Sequence, residues 1–274
     1  MTRIRRFFFD LVQVALGNRA QLSERPSDKE WDVLYEMAIE QAMIGVLQQG
    51  LERLPDEQKP YFDLLLEWTV TAQMIQAQNK TLDERCLELL RKLEKAGIRA
   101  SILKGQGIAK LYRRANVRQN NRLTDHTETD ALGSLRGPGD IDAYVDCGRK
   151  EAIERVERIG YSVEDWDCKH AHVRVWENTE VELHYRVEVL FNLFKNRKLQ
   201  KWFKAHENEI FGTSKDSENT NKSRNRDNDG LVTPTVEFNV FYILLHIYRH
   251  FFTEGVGLRQ IMDYYFVLKT HYDN

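Results

Sequence analysis

The sequence predicts an α+β protein in which a small mixed β-sheet lies between N-terminal and C-terminal helical regions. Apolar residues recur at three- and four-residue spacing through region 1–96, as in amphipathic helices. Short apolar runs separated by glycine turns then fill region 97–190, as in strands joined by tight connections. Helical spacing returns in region 191–274, so we expect three regions with an α/β core in the middle.

The composition is that of an ordinary globular protein, since 42% of the 274 residues are hydrophobic and 30% are charged. A formal net charge of -2 argues against a protein that binds nucleic acid through a global basic field. No stretch approaches the roughly 20 apolar residues of a membrane span. Three cysteines are too few for a disulfide framework, and they suit a reducing cytoplasm.

The N-terminal region predicts three helices. The first starts after the cap residue Ser27, and the second covers residues 47–54. A long third helix covers residues 61–96, and Gly97 is its stop signal. Nothing in this region converges on chemistry, so we expect a helical platform.

A strand, a glycine turn and a helix follow directly. Residues 99–103 predict the strand, Lys104–Gly107 the turn, and residues 108–112 the start of the helix. Such a turn offers backbone N–H groups and the positive end of a helix dipole to an anion. The spacing is not that of a Walker loop, and an ordinary strand-to-helix connection explains the turn equally well.

The acidic stretch comes next, behind a polar, aperiodic segment at residues 115–135 that predicts a surface loop or insertion. Arg136–Gly139 leads into a short apolar run that carries Asp140 and Asp142. On a strand both carboxylates project from one face, because side chains alternate. Two neighbouring acids need a compensating charge, which a hard cation such as Mg²⁺ supplies. A strand edge with two solvated aspartates stays open as the alternative.

The rest of the core region predicts a helix and three strands, at residues 148–159, 161–166, 172–176 and 181–187. A turn at residues 177–179 joins the last two strands as a hairpin. On the last strand, Glu182, His184 and Arg186 share one face. Glu182 is thus a third acid in mid-strand, where charges mark a wet or functional face.

The last region predicts helices around a polar segment. Residues 213–230 contain no apolar residue and predict a disordered linker or long loop. The helix after Pro234 has a stripe that we expect to be buried, formed by Phe238, Phe241, Leu244, Leu245, Tyr248 and Phe252. A final helix is predicted at residues 258–268.

The order of these elements resembles the nucleotidyltransferase superfamily that includes DNA polymerase β. More narrowly, four short motifs resemble those of an uncharacterised bacterial family of nucleotidyltransferases. They are Ile102-Leu103-Lys104-Gly105, Arg136-Gly137-Pro138-Gly139-Asp140-Ile141-Asp142, Gly160-Tyr161 and Val181-Glu182-Leu183-His184. The helical tail resembles the same family through Leu245-His246, His250 and Gly257-Leu258-Arg259 to Asp263. The resemblance covers about residues 98–269.

The resemblance implies metal-dependent transfer of a nucleoside monophosphate from an NTP, ATP included, to a hydroxyl of a small-molecule or protein acceptor. It assigns catalysis and the binding of Mg²⁺ or Mn²⁺ to three acids, Asp140, Asp142 and Glu182. It assigns nucleotide binding to Lys104, Gly105, Gln106 and Arg136. A nucleic-acid acceptor is disfavoured, because the near-neutral chain has no basic-aromatic stripe.

Two departures from the superfamily pattern support a rival function. Gln106 stands where the superfamily turn usually has serine, and segment 115–135 lengthens the gap to Asp140. The rival is a binding or regulatory protein, as in a toxin–antitoxin pair, that keeps the fold without catalysis.

Three histidines are candidate ligands of a different metal. His170, His172 and His184 lie on neighbouring predicted strands, and zinc favours nitrogen ligands. No cysteine or carboxylate set completes that site in the sequence, so surface or hydrogen-bonded histidines are the favoured interpretation. His246 and His250 do not form an HExxH motif and are expected to pack or hydrogen-bond between helices.

Overall fold

The computed structural model describes residues 2–119, 135–211 and 230–273, and the statements below concern those residues. Most of the predicted insertion at 115–135 and of the predicted loop at 213–230 lies outside them. The described residues form ten α-helices and a mixed sheet of five strands, with helices before and after the strands along the chain. The predicted α+β class is therefore confirmed. Among the described helices, none has the length and apolar character needed to cross a membrane.

Internal contacts divide the chain into two compact units. The first consists of Met1–Lys80, Asn116–Pro138 and Gly257–Met262. The second consists of Thr81–Ala115, Gly139–Val256 and Asp263–Asn274, and it contains all five described strands. The predicted region boundaries at residues 96 and 190 stay a prediction.

The helices of the first unit are α1 (Arg3–Ala15), α2 (Asp28–Glu40), α3 (Ile44–Arg53) and the first part of α4 (Phe62–Lys95). The start of α2 after Ser27 follows the prediction, and the Ser27 N–H donates to Glu30 Oε2 at 2.8 Å. Trp31 and Trp68 are fully buried and meet edge to face. The buried Trp68 indole N–H of α4 donates to the Ile44 carbonyl at the start of α3 at 3.0 Å, so this donor is satisfied.

The sheet of the second unit has the strand order β1-β2-β5-β4-β3. Its strands are β1 (Ala100–Ile102), β2 (Ile141–Val145), β3 (Ser162–Trp166), β4 (His170–Arg174) and β5 (Val181–His184). The β2–β5 pair is parallel, whereas the other neighbouring pairs are antiparallel. β5 ends at His184, three residues earlier than predicted, because the N–H groups of Tyr185 and Arg186 both donate to the Lys169 carbonyl.

Side-chain alternation separates the two faces of this sheet. The apolar face packs against the second part of α4 and includes Ile102, Ile141, Ala143, Val181 and Leu183, each at most 2% exposed. The opposite face carries the polar side chains of Asp142, Tyr144, Glu182, His184 and His170. The core thus supports a sheet whose other face carries the titratable side chains.

The other helices of the second unit are α5 (Gln106–Gln119), α6 (Arg149–Arg158), α7 (Leu193–Ala205), α8 (Glu207–Ile210), α9 (Val236–Thr253) and α10 (Leu258–Asp273). The last turn of α5 and the start of α10 belong to the first unit. α5 runs to Gln119, past Ala115, where a loop was expected.

The buried stripe predicted for α9 is wrong for most of its members. Phe238 is buried, but Phe241, Leu244, Tyr248 and Phe252 are 39 to 64% exposed. The helix instead buries a face with polar groups, formed by Phe238, Asn239, Tyr242, Ile243 and His246. Apolar residues occupy both faces of α9, so their spacing alone does not select the inward one.

Candidate active site

Asp142 and Glu182 lie opposite each other on the parallel strands β2 and β5. Both side chains point to the polar face of the sheet, because paired residues of adjacent strands share a face. Asp142 is 2% exposed and Glu182 is partly buried. Two carboxylates are thus held side by side by backbone hydrogen bonds, with little access to water.

Asp140 joins this pair from the residue before β2. Carboxylate oxygens of Asp140, Asp142 and Glu182 all lie within 4.8 Å of one another. The negative charge of Asp142, together with burial, raises the pKa of Asp140 even though Lys104 opposes the shift. Asp140 therefore lies beside negative charge that Lys104 does not fully compensate. Three convergent oxygen donors with unrelieved charge fit a hard divalent cation.

Lys104, from the turn after β1, supplies part of the compensation. Its Nζ lies 2.7 Å from Asp142 Oδ1. Burial alone would lower the pKa of Lys104, but the charges of Asp142 and Asp140 outweigh it and raise the pKa. Lys104 is therefore an ammonium ion at neutral pH, fixed against the acids.

His184 lies on the same face of β5, two residues after Glu182. Its Nε2 is 2.9 Å from Asp142 Oδ1 and 3.0 Å from Glu182 Oε2, and its side chain is fully buried. Burial would lower the pKa of His184, but the hydrogen bonds to the two carboxylates raise it. Burial would raise the pKa of Asp142, but Lys104 and His184 hold it well below its usual range.

The glycine turn lies directly beside these acids. Gly105 has a left-handed φ of +56°, and an added Cβ would lie 3.4 Å from the Asp140 carbonyl oxygen. At Gly107 a Cβ would come within 2.7 Å of the Ile102 carbonyl, so a side chain there would push α5 away from β1. The two glycines let the N-terminus of α5 begin close to the carboxylates.

Gln106, the first residue of α5, is 4% exposed. Its Nε2 donates to Asp83 Oδ1 of α4 at 2.7 Å. The side chain thus ties α5 to α4, and only backbone groups of this residue remain candidates for phosphate binding.

Arg136 belongs to the first unit, whereas the three acids belong to the second. Its guanidinium donates to the Gly137 carbonyl at 3.1 Å, and Asn79 Nδ2 donates to the Arg136 carbonyl at 2.7 Å. It is 5% exposed. Its predicted contact with phosphate stays a prediction.

A second ionic group, which sequence reasoning missed, surrounds Glu188 just after β5. The Glu188 carboxylate is fully buried, with Arg249 Nη1 at 3.1 Å, His246 Nδ1 at 3.4 Å and Lys169 Nζ at 3.9 Å. Burial would raise the pKa of Glu188, but these three groups lower it to about 2. The sequence predicts that His246 packs or hydrogen-bonds between helices, but no local pattern links it to Glu188 58 positions away.

No curated protein and no solved structure matches the chain. One family does match, over residues 27–123 and 133–274, and its description is "Uncharacterised nucleotidyltransferase". The match covers most of the chain and includes the glycine turn and all three acids. The chain belongs to this uncharacterised nucleotidyltransferase family.

Proposed function

We propose that this protein transfers a nucleoside monophosphate from an NTP, with ATP among the candidates, to a hydroxyl of a small molecule or a protein. The observation that carries the proposal is the pairing of Asp142 with Glu182, with Asp140 within 4.8 Å of both. Family membership supports the reaction class. A relation to the DNA polymerase β superfamily and a bacterial origin are parts of the proposal that rest on motif order.

Asp140, Asp142 and Glu182 are the residues proposed to hold Mg²⁺ or Mn²⁺. When bound, such an ion neutralises charge on the phosphates and lowers the pKa of the attacking hydroxyl. The residues fit this role because they offer hard oxygen donors and carry the excess charge seen in the raised pKa of Asp140.

The chain itself is proposed to bind and orient the triphosphate. The N-terminus of α5, after the left-handed Gly105, presents backbone N–H groups and a positive dipole end. Lys104, already fixed beside Asp142, adds a positive charge next to the same turn. We keep Arg136 as a further phosphate ligand, since a guanidinium makes forked contacts with phosphate.

In the proposed reaction the acceptor oxygen attacks the α-phosphorus and forms a new P–O bond. The bond from the α-phosphorus to the bridging oxygen breaks in line, and pyrophosphate leaves with the electron pair. Glu182 is the proposed acceptor of the hydroxyl proton, because a carboxylate beside the nucleophile can act as general base.

The net charge and the cysteines bear on the proposed acceptor and on the proposed cellular location. The net charge of -2 disfavours nucleic acid as the acceptor. Cys86, Cys147 and Cys168 are free thiols in the described structure, which suits the proposed cytoplasmic location.

The first test is thermal unfolding with Mg²⁺ or Mn²⁺ and each of the four NTPs, for wild type and two aspartate variants. Asp140→Asn removes one proposed ligand. Asp146→Asn is the matched control, because Asp146 follows the other end of β2 and pairs with Arg99 at 3.0 Å. A ligand at about 100 times its Kd adds about 2.7 kcal/mol of stability. We expect metal plus NTP to stabilise wild type and Asp146→Asn but not Asp140→Asn.

Pyrophosphate release, measured over a panel of hydroxyl acceptors, then separates catalysis from binding. Release that depends on Asp140 supports transfer. Stabilisation by NTP without release for any acceptor would favour the rival, a nucleotide-binding regulatory protein. If no NTP stabilises the wild-type protein at millimolar concentration, the proposed site is wrong.

A further inference from the structure

We propose, resting on the proposed function, that His170 and His184 form with Glu182 a second metal site that takes Zn²⁺ or a similar transition ion. Donor atoms of these three side chains lie within 4.8 Å of one another. Glu182 also belongs to the carboxylate set, so it would be shared between a hard oxygen site and a nitrogen-rich site. Asp140 belongs only to the oxygen site, and His170 belongs only to the nitrogen-rich site.

The spacing of the donor atoms matches a coordination shell. Glu182 Oε2 lies 3.0 Å from His184 Nε2 and 3.5 Å from His170 Nδ1. A tetrahedral ion with bonds of about 2.1 Å places its ligand atoms about 3.4 Å apart. The two imidazole rings are 5.0 Å apart between centroids, so they converge on one side of the shared carboxylate.

His170 contributes a buried donor atom that would suit a cation. Its Nδ1 is buried and has no hydrogen-bond partner among the described residues. The atom nonetheless faces Glu182 Oε2 at 3.5 Å, with His170 only 13% exposed. Buried polar atoms are almost always paired, so an imidazole nitrogen left unpaired against a carboxylate requires an explanation. An ion bound by both groups would satisfy the nitrogen and the carboxylate together.

The direction of the His172 side chain, rather than the strand register, explains why Glu182 and not a third histidine completes the set. In the antiparallel β4–β5 pair, His170 lies opposite His184, and His172 lies opposite Glu182. The His172 ring is 41% exposed, with Nε2 3.8 Å from Asp165 Oδ1. The sequence suggested the three histidines without a carboxylate set to complete the site, whereas in the structure Glu182 joins two of them and His172 is turned towards β3.

The donor types predict which ion is selected. Imidazole nitrogens suit Zn²⁺ and other first-row transition ions, whereas Mg²⁺ prefers oxygen ligands. We therefore expect the second site to bind Zn²⁺ in the presence of excess Mg²⁺.

The test is calorimetric titration of the full chain with Zn²⁺ in excess Mg²⁺, for wild type, His170→Ala and His172→Ala. We expect one Zn²⁺ per wild-type chain, at least tenfold weaker binding in His170→Ala, and unchanged binding in His172→Ala. X-ray absorption of Zn²⁺-loaded wild type adds a readout that needs no variant, and two imidazole ligands are expected. Oxygen ligands alone, no bound Zn²⁺, or equal effects of the two variants would overturn the proposal.

Asp140→Asn keeps this test separate from that of the proposed function. It is expected to abolish stabilisation by Mg²⁺ and NTP while leaving a Zn²⁺ ion with two imidazole ligands. If Zn²⁺ binding fails while Mg²⁺ and NTP still stabilise wild type, only the second site is wrong. If Zn²⁺ binds as expected but no NTP binds, the proposed nitrogen-rich site is supported and the proposed transfer reaction is wrong.

Discussion

Lys104 Nζ lies 2.7 Å from Asp142 Oδ1, and the Asp142 side chain is only 2% exposed to solvent. The ammonium group therefore holds the position next to the acids where positive charge is needed most. Removing one partner of a buried ion pair leaves the other charge uncompensated, which costs far more than the pair itself contributes.

We expect Lys104→Met to lower the free energy of unfolding by about 3–5 kcal/mol without metal. Added Mg²⁺ should restore part of this loss, because the ion compensates the same carboxylates. Urea unfolding with and without Mg²⁺ measures both effects. Lys204→Met is the control, since Lys204 forms a 2.7 Å ion pair with Glu207 but is 75% exposed. Lys204→Met should lower the free energy of unfolding by less than about 1 kcal/mol, and added Mg²⁺ should not restore this loss.

Asp140→Asn should have the opposite effect on the metal-free protein. Because Asp142 and burial raise the pKa of Asp140, its ionised form weakens the fold, and stability is lost as pH rises through its pKa. We therefore expect the variant to be more stable than wild type at pH 7 without metal, and the gain to shrink towards pH 4. Melting curves over this pH range measure the difference. Equal or lower stability at pH 7 would show that the charge of Asp140 is already compensated.

Substitutions of Gln106 test the departure from the superfamily turn, which usually has serine at this position. Gln106→Ser and Gln106→Ala both remove the hydrogen bond to Asp83, so each should lose about 1.5–3 kcal/mol of stability. Only serine adds a hydroxyl at the start of α5. If the turn binds the triphosphate, NTP should bind the serine variant about tenfold more tightly than the alanine variant, as expected for one bond to a charged group. Equal Kd values would place the phosphates elsewhere.

The sequence predicted the parts of this site but not their pairing. Alternation alone indicated that Asp142 is on one face of its strand and that Glu182 and His184 share a face of theirs. That Asp142 and Glu182 are neighbours depends on the parallel pairing of β2 with β5, which joins residues 40 positions apart and skips two intervening strands. Local periodicity has no information on such a register.

Two further features were set by tertiary packing against local expectation. The Phe241 side of α9 has the stronger apolar stripe, yet the helix buries Tyr242 and His246 instead. This choice brings His246 to Glu188, a contact that no local pattern in the sequence indicates. Buried ionic groups of this kind arise from contacts between distant elements, so no spacing rule reveals them.

Glu188 gives a prediction on acid stability. Its pKa is lowered to about 2 in the folded protein, against about 4.3 for an unperturbed glutamate. A depressed pKa contributes stability that is fully present above the unfolded pKa and is lost as pH falls towards the folded one. The difference is worth about 3 kcal/mol, since one pKa unit corresponds to about 1.4 kcal/mol.

We expect Glu188→Gln to be less stable than wild type at pH 6 and the gap to narrow steadily from about pH 5 to pH 3. The reason is that Glu188 of the unfolded wild-type chain takes up a proton over this range, which favours unfolding, whereas the folded protein, with a pKa of about 2, holds the carboxylate ionised and the glutamine variant has no such group. Denaturant unfolding at each pH measures the gap. Glu207→Gln serves as the control, because Glu207 pairs with the exposed Lys204 and its loss should cost less than about 1 kcal/mol. A gap for Glu188→Gln that stays constant from pH 6 to pH 3 would mean that Arg249, His246 and Lys169 do not hold this carboxylate ionised.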